Sequence, residues 1–287
     1  MSFLKVVVLA IVQGLAELLP VSSSAHVVVA EKLMGLDPAA PSMTLLLVML
    51  HTGTMFAVIV YFWRRWRATY FSSMVQFKRT AVQVIVATAF TAVIGEALKL
   101  LIEKTAFRDA PHAQIEDLFS HLELIAPALA AGGILILVAG LRERGARDLG
   151  AAGALTTRQA GVIGAVQGLC LPFRGFSRSG ATISAGMLAG VAKPSAENFS
   201  FALAVVLTPP VVLREVLRVL NAEHEGGAAA LTGAAIPSLV GALLSFVAGL
   251  VALKWLSRWL ENGRWYLFGV YCLAAAAAVG GLYFAGY

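Results

Sequence analysis

The chain alternates long apolar segments with short polar ones, and six apolar segments are long enough to cross a bilayer. A transmembrane helix needs about 20 predominantly apolar residues. The six predicted spans are Ser42–Phe62, Ala81–Ile102, Leu124–Leu141, Phe199–Leu220, Ile236–Leu256 and Trp265–Phe284. This pattern predicts an all-α polytopic membrane protein, with residues 1–287 forming a single membrane domain.

Two further apolar segments are interrupted by polar residues. The first, Phe3–Leu36, breaks around Pro20–Ser24, and the second, Gln159–Val191, breaks around Pro172–Gly180. The two arms of the second segment are about a dozen residues each, which is short for a full span, and the break in the first segment suggests the same arrangement. Non-helical backbone at membrane depth is tolerated only where protein buries it or a water-filled cavity receives it. We therefore expect two re-entrant helical hairpins.

Charges in the connections orient the spans. The connection at residues 64–79 contains five basic residues and no acidic one, so it is expected to be cytoplasmic. Residues 142–158 are basic again, whereas residues 103–123 and 221–235 are rich in acidic residues and are expected outside. With six spans and two hairpins that return to their own side, both termini are predicted to lie outside the cytoplasm, in the periplasm.

Each half of the chain then consists of one hairpin followed by three spans. The first repeat covers residues 1–141, with its hairpin at 3–36, and the second covers residues 159–287, with its hairpin at 159–191. Both hairpins contain the tetrapeptide Val-Gln-Gly-Leu, at 12–15 and at 166–169. Because three spans reverse the orientation, the halves form an inverted-topology repeat, in which paired interrupted segments mark the binding site. We expect the two hairpins to meet.

Composition supports a membrane protein and argues against other classes. Hydrophobic residues make up 59% of the chain and charged residues 13%, against about 25% charged residues in average proteins. The net charge of +6 resides mainly in short connections between spans, so no nucleic-acid partner is expected.

Three further features predict no special chemistry or processing. Cys170 and Cys272 predict no disulfide, and the N-terminal apolar run is expected to be retained. His112 and His121 lack a tight ligand spacing, which favours a solvated loop over a metal site.

The first interrupted segment brings a carboxylate, hydroxyls and an imidazole together. Gln13 and Glu17 are four residues apart and share one helix face, and Pro20 is expected to end that helix. Ser22–Ser24 follow, where any of them can cap the next helix, and His26 falls in its first turn. An ionisable residue within the membrane is by default a functional-site hypothesis. This favours Glu17 and His26 as site residues over a polar kink that satisfies only its own backbone.

The second interrupted segment predicts an anion site. Residues 174–182 read RGFSRSGAT, a Gly/Ser loop with Arg174 and Arg178 that leads into an apolar helix. Free N–H groups at a helix start bind anions, and arginine supplies planar, bidentate donors for phosphate. The alternative, in which the arginines pair only with Glu17 and backbone carbonyls, is less favoured. Together the two segments fit phosphoryl transfer, which needs positioning, charge neutralisation, a nucleophile and a proton donor.

At these motifs the chain resembles the bacterial undecaprenyl-diphosphate phosphatases, a family also associated with bacitracin resistance. The motifs read QGLAELLPVSSSAH at 13–26 and FRGFSRSGAT at 173–182, and the resemblance extends over essentially the whole chain. It implies hydrolysis of undecaprenyl diphosphate to the monophosphate, which recycles the lipid carrier for peptidoglycan synthesis in the cell wall. It also implies a bacterial inner-membrane location, an active site on the periplasmic face and a divalent cation, Mg²⁺ or Ca²⁺.

The expected roles follow from the resemblance and from the chemistry of the two segments. The expected catalytic residues are Glu17, Ser23, His26 and Arg178, and Glu17 is also the residue expected to contact the cation. The residues expected to bind the substrate are Gln13, Ser22, Arg174, Ser177, Ser179 and Thr182. Gln13 stands where many family members have Glu, and Arg174 where the family pattern usually has Pro. Both a phosphoserine intermediate on Ser23 and direct attack by water remain open.

Two other classes of function are compatible with parts of the pattern. Inverted repeats with broken helices are typical of transporters, so a transporter or flippase of a phosphorylated isoprenoid lipid is the main alternative. Glu17 together with His26 favours an enzyme, since binding alone needs no base and acid. A structural scaffold leaves both arginines unexplained. The expected partners are undecaprenyl diphosphate and membrane lipids, and a homodimer is left open.

Overall fold

The described part of the chain folds into α-helices and contains no strand. A computed structural model describes residues 2–37, 41–106, 121–145, 155–222, 228–260 and 264–286. The helices are α1 (Phe3–Leu18), α2 (Ser23–Leu33), α3 (Pro41–Thr69), α4 (Met74–Ala106), α5 (Leu122–Gly145), α6 (Thr157–Cys170), α7 (Arg178–Leu188), α8 (Lys193–Ala222), α9 (Ala228–Leu260) and α10 (Tyr266–Phe284). The predicted all-α class is confirmed.

Six of the described helices are long and apolar enough to cross a membrane. The qualifying stretches are Leu45–Thr69, Met74–Thr105, Leu122–Glu143, Lys193–Arg214, Ala235–Trp255 and Tyr266–Phe284. Each overlaps one of the six predicted spans. Large apolar side chains such as Val60, Ile85 and Val93 are exposed on these helices, as expected for surfaces that face lipid tails. The chain is therefore a multi-pass membrane protein.

The predicted connection at residues 64–79 is mostly helical. The helix α3 continues through the basic residues to Thr69, and α4 begins at Met74, so only residues 70–73 connect them. Trp66 is buried in the last turns of α3, where its indole N–H donates to the Asn198 carbonyl oxygen of α8 at 3.3 Å. Packing thus extends the helix beyond its apolar stretch.

Some predicted features lie outside the described residues. These are the loop position of His112 and residues 146–154.

Each interrupted segment forms a pair of short helices, and the two helices within each pair contact each other. The helix α1 ends at Leu18, two residues before Pro20, and α2 begins at Ser23. The helix α6 ends at Cys170, and α7 begins at Arg178. Proline lacks a backbone N–H and its ring disrupts the preceding turn, which explains the first break. The predicted positions of both breaks are confirmed.

The first helix of each short pair packs tightly against a long helix. The helix α1 lies on α9, and α6 lies on α4. The closest approach is at Gly164 of α6, where an added Cβ would lie 2.1 Å from the Ala87 carbonyl oxygen of α4. Small residues permit such close approach of helix backbones in membranes. Only glycine fits at position 164 without a shift of backbone.

We expect Gly164→Ala to destabilise the fold by about 1–3 kcal/mol, because the added methyl group overpacks the α4–α6 contact. Gly280→Ala is the matched control, since a Cβ at Gly280 meets no atom within 4 Å. Alanine is also the better helix former, so the control is expected to lose no stability. Thermal unfolding in detergent measures both variants. Equal transition temperatures for the two would contradict the close contact.

Candidate active site

Glu17 lies where the two interrupted segments meet, in the last turn of α1. Its Oε1 accepts a hydrogen bond of 2.5 Å from Nη2 of Arg178, the first residue of α7. The two side chains are 14% and 27% exposed, so the ion pair is largely shielded from water. The pair joins residues that are 161 positions apart in the sequence. The predicted meeting of the two segments is confirmed by this contact.

The second carboxylate oxygen of Glu17, Oε2, is close to three further polar groups. Gln13 Nε2 donates to it at 3.1 Å, which confirms that Gln13 and Glu17 share one helix face. Ser23 Oγ donates a short hydrogen bond to the same oxygen. His51 Nε2 of α3 lies 3.7 Å away. The carboxylate of Glu17 is therefore close to a hydroxyl that could act as a nucleophile, that of Ser23, and to the imidazole of His51.

The turn between α1 and α2 has an unusual backbone at Ser22, with φ of 67° and ψ of 88°. Non-glycine residues rarely adopt positive φ, and such conformations cluster at functional sites. Ser22 occupies the N-cap position of α2, but its side chain makes no capping hydrogen bond. Its hydroxyl instead lies 3.3 Å from the Ser24 hydroxyl. Of these serines, Ser23 is the one whose hydroxyl reaches Glu17.

His26 lies one turn into α2, as predicted, and its ring is held at both nitrogens. Nδ1 lies 2.7 Å from the Ser22 carbonyl oxygen, which only accepts hydrogen bonds, so Nδ1 carries the proton. In the neutral ring Nε2 is then an acceptor, and the hydroxyl of Tyr271 in α10 donates to it at 2.7 Å. The two rings are stacked with an interplanar angle of 11°. His26 therefore faces α10.

A cleft opens beside Glu17. Its polar lining consists of Glu17, His51, Thr54, Arg178 and Thr208, contributed by α1, α3, α7 and α8. The remaining lining residues are apolar. A cleft with an ion pair set among apolar walls suits a molecule that has an anionic head and an apolar tail. His26 does not line this cleft.

The hydroxyls predicted in the second segment stabilise the turn that carries Arg178. Ser177 caps α7, and its Oγ accepts a hydrogen bond from Gly180 N at 3.2 Å. Ser179 Oγ donates to the Leu19 carbonyl oxygen at 3.4 Å. Thr182 is fully buried, with Oγ1 2.7 Å from the Arg178 carbonyl oxygen and 2.6 Å from the Ser200 hydroxyl. Substrate binding by these hydroxyls stays a prediction.

Arg174 is separated from Arg178 and interacts with other groups. It attracts the carboxylate of Glu31 in α2, a residue with a fully buried side chain. Of the two predicted arginines, Arg178 alone lines the cleft beside Glu17. The phosphate contact predicted for Arg174 therefore stays a prediction, and the cleft itself offers one guanidinium.

Two residues near the site were not singled out from the sequence. His51 interrupts the predicted span Ser42–Phe62, so the rule that selected Glu17, an ionisable residue within an apolar segment, also applies to it. Tyr271 gave no such signal, because its partnership with His26 depends on how α10 packs against α2. Both contacts depend on helix packing and not on local spacing.

The oxygen atoms at and beside Glu17 suit a divalent cation whose other ligands come from phosphate groups of a bound substrate. Among the described residues, no group of three or more His, Cys, Asp or Glu side chains could hold a metal ion. Mg²⁺ is usually bound through one or two carboxylates together with substrate phosphates. Glu17 supplies one carboxylate, and Gln13 Oε1 is a buried amide oxygen without a partner among the described residues. These two residues fit that smaller set of ligands.

Comparison with known proteins identifies the family. The model of the family described as bacitracin resistance protein BacA matches residues 6–278. The chain belongs to this family. It is 57% identical over 282 residues to undecaprenyl-diphosphatase 2 of Acinetobacter baylyi, which covers 97% of each chain. It is 36% identical to the undecaprenyl-diphosphatase of Acidiphilium cryptum, covering 95% of each chain, and 31% identical to that of Rhodopirellula baltica, covering 97% of each. The resemblance stated from the two motifs is confirmed.

Removing Arg178 from this BacA-family chain is expected to destabilise the fold, because Glu17 is left shielded from water without its counter-charge. We expect Arg178→Ala to cost about 1–3 kcal/mol. The double variant Glu17→Gln with Arg178→Ala should lose less than the sum of the two single variants, because the groups are coupled. Thermal unfolding in detergent gives all four transition temperatures.

The matched control for this cycle is the more exposed pair Lys99–Glu103 on α4, with N and O 3.8 Å apart. Surface pairs contribute little, so Lys99→Ala is expected to change stability by less than about 1 kcal/mol. Strict additivity at Glu17 and Arg178 would show that the two charges do not stabilise each other.

Proposed function

We propose that this chain hydrolyses undecaprenyl diphosphate to undecaprenyl phosphate and inorganic phosphate, and so recycles the lipid carrier for peptidoglycan synthesis. The relatives from Acinetobacter baylyi and Rhodopirellula baltica are named undecaprenyl-diphosphatases. The main observation that supports the proposal is the hydrogen bonding of the Arg178 guanidinium in the cleft. Its Nη2 pairs with Glu17, but its Nη1 is buried and has no partner among the described residues. A buried donor without a partner is costly, and an incoming phosphate oxygen would satisfy it.

The cleft positions an amphiphilic diphosphate by its two kinds of surface. Arg178 holds the terminal phosphate through planar donors, and the N-terminal turn of α7 adds the favourable end of a helix dipole. Met55, Phe201 and Val205 line the same cleft and accept the apolar part of the lipid. Charge neutralisation and positioning supply most of the catalysis in phosphoryl transfer. The site needs little more than an attacking oxygen and an acceptor for its proton.

Glu17 is the proposed proton acceptor for the attacking oxygen. Ser23 Oγ donates its hydrogen bond to Glu17 Oε2, so its proton is already directed at the carboxylate. As the new O–P bond forms, this proton passes to Glu17, and the bond between the terminal phosphorus and the bridging oxygen breaks. Undecaprenyl phosphate leaves with the bridging oxygen. Either Ser23 attacks directly, and water then hydrolyses the phosphoserine, or Ser23 orients the attacking water.

His26 is the proposed proton-transfer residue on the α10 side of the site. The hydrogen bond from Nδ1 to the Ser22 carbonyl oxygen fixes the tautomer, so proton exchange takes place at Nε2. The hydroxyl of Tyr271 is the partner of that nitrogen. Ser22, an expected substrate-binding residue, is the N-cap residue of the helix that contains His26.

We further propose that a divalent cation, Mg²⁺ or Ca²⁺, takes part in the reaction. When bound, it would supply positive charge that neutralises the diphosphate oxygens. Glu17 and Gln13 are the residues that would hold it, together with the phosphates. Gln13 contributes an amide oxygen here and cannot act as a base, which leaves Glu17 as the carboxylate of this pair.

An inverted-topology repeat is the proposed architecture, with repeats at 1–141 and 159–287. Its support is a set of equivalent contacts. An added Cβ on Gly14 of α1 would lie 2.8 Å from the Ser245 carbonyl oxygen of α9. An added Cβ on Gly168 of α6 would lie 2.9 Å from the Thr91 carbonyl oxygen of α4. Gly14 and Gly168 are separated by 154 positions, and so are Thr91 and Ser245.

The proposed membrane placement follows from this repeat. The pairs α1–α2 and α6–α7 are re-entrant hairpins that enter from opposite faces and meet at Glu17 and Arg178. The basic end of α3 lies in the cytoplasm, which puts both termini in the periplasm. The proposed location is the bacterial inner membrane, with the active site on the periplasmic face.

The assay that tests this function is phosphate release from undecaprenyl diphosphate by the purified chain in detergent. We expect Arg178→Ala to lower the turnover rate by about 10²–10³-fold, because it removes the donor that stabilises the transferred phosphoryl group. Arg142→Ala is the matched control, since Arg142 is exposed on α5, and it should retain full activity. EDTA should abolish turnover, and added Mg²⁺ or Ca²⁺ should restore it.

The outcome also separates the enzyme from the transporter hypothesis. A chain that binds undecaprenyl diphosphate but releases no phosphate, with or without the cations, would favour a transporter or flippase. Full activity of Arg178→Ala would refute the role of this arginine. Activity unaffected by EDTA would remove the cation from the mechanism.

The phosphoserine route makes a separate prediction. Acid quenching of turnover with substrate labelled at the terminal phosphate should leave about one label per active chain if Ser23 is the nucleophile. The label should be absent from Ser23→Ala and unchanged in Ser73→Ala, because Ser73 lies in the exposed connection before α4. An active enzyme that never carries the label would establish direct attack by water.

A further inference from the structure

The last helix, α10, contacts the region from Pro20 to His26 through two adjacent residues. The Tyr271 hydroxyl donates to Nε2 of His26 at 2.7 Å, and Cys272 Sγ lies 3.5 Å from the Pro20 carbonyl oxygen. We propose that Tyr271 is a positioning residue of this site, which holds the His26 ring in the orientation that proton transfer requires. This inference rests on the proposed function, because it supports a residue of the same hydrolysis.

Tyr271 restrains the His26 ring where its own helix does not. The hydrogen bond of Nδ1 with the Ser22 carbonyl oxygen ties one edge of the ring to the backbone four residues before it. A ring held by a single hydrogen bond can still tilt about that bond. Tyr271 adds a hydrogen bond to the opposite nitrogen and a stacked ring, with centroids 5.7 Å apart and planes 11° apart. The orientation of Nε2 therefore depends on α10 as well as on α2.

Tyr271 stands on a helix that is closely packed against α5. A Cβ added at Gly269 would lie 2.6 Å from the backbone nitrogen of Leu137, and one added at Gly133 would lie 2.9 Å from Cys272 Cβ. Backbones that approach this closely leave little room for one helix to move against the other. The position of the Tyr271 hydroxyl is thus set by the α5–α10 contact, and a regular helix places a side chain more precisely than a loop does.

A hydroxyl is a suitable partner for a ring that exchanges protons, because it can both donate and accept hydrogen bonds. It donates to the unprotonated Nε2 of the neutral ring. Once Nε2 has taken up a proton, the same hydroxyl can rotate and accept a hydrogen bond from it. The His26 ring therefore keeps its partner in both protonation states, and Tyr271 ends each turnover unchanged.

The alternative role for Tyr271 is purely structural. Its side chain is 47% exposed on α10, and a tyrosine hydroxyl in apolar surroundings needs a hydrogen-bond partner of its own. In that case His26 would merely satisfy Tyr271. The two roles differ in whether removal of the hydroxyl changes the chemistry that passes through His26.

The test is Tyr271→Phe in the phosphate-release assay with undecaprenyl diphosphate. This substitution keeps the stacked ring and removes only the hydroxyl. A misplaced catalytic group loses rate more than affinity, so kcat should fall by about 10–10²-fold, with KM changed less than about threefold. In a His26→Asn background the same substitution should cause no further loss, because the two residues act as a unit.

The matched control is Tyr283→Phe, which removes a hydroxyl from the same helix. The Tyr283 ring contacts Phe284 with centroids 5.4 Å apart, and this variant should keep the wild-type kcat. Thermal unfolding in detergent verifies that both tyrosine variants are folded.

NMR of isotope-labelled histidine nitrogens tests the contact without an activity measurement. The Nε2 resonance of His26, identified by its absence from His26→Asn, should move in Tyr271→Phe and stay in place in Tyr283→Phe. An unchanged resonance, wild-type kcat in Tyr271→Phe, or an equal loss of kcat in the His26→Asn background would overturn the positioning role. A wild-type chain that releases no phosphate would refute the proposed function, and the resonance would then still show whether Tyr271 holds the ring.

Discussion

The ion pair between Glu17 and Arg178 is the interaction on which the site depends. Two opposite charges in a mostly apolar protein stabilise each other only at short distance, and each is costly without the other. They come from helices that are far apart in sequence, so the pair exists only if both interrupted segments are positioned together. The helix cap at Ser177 and the hydrogen bond from Ser179 to Leu19 hold the two segments in that position.

The same pair explains how the site combines stability with reactivity. Nη2 of Arg178 is neutralised by Glu17, whereas Nη1 is left without a partner among the described residues. Glu17 likewise binds Arg178 through one oxygen and Ser23 through the other. Nη2 of Arg178 and Oε1 of Glu17 thus form the ion pair, whereas Nη1 and Oε2 lie outside it. An anion that binds Arg178 would also weaken its hold on Glu17 and make that carboxylate a better base.

Sequence patterns predicted the elements well, and they predicted contacts where local geometry determines them. Pro20 located the end of α1, and the spacing of Gln13 and Glu17 placed both on one face. The repeated Val-Gln-Gly-Leu pointed to the meeting of Glu17 with Arg178. The positions of His51 and Tyr271 were not predicted, because they depend on how α3 and α10 pack against the short helices. The extent of α3 beyond its apolar stretch likewise depended on Trp66 and its contact with α8.

The backbone of Ser22 determines what can replace it during evolution. Ser22 has a positive φ, and its carbonyl oxygen lies 2.7 Å from Nδ1 of His26, which selects the tautomer of a ring four residues away. The side chain at position 22 contributes no capping bond to this arrangement. Position 22 is therefore constrained by conformation more than by chemistry. Glycine, asparagine and aspartate are the substitutions it tolerates best, and a β-branched residue there would disturb the histidine without touching it.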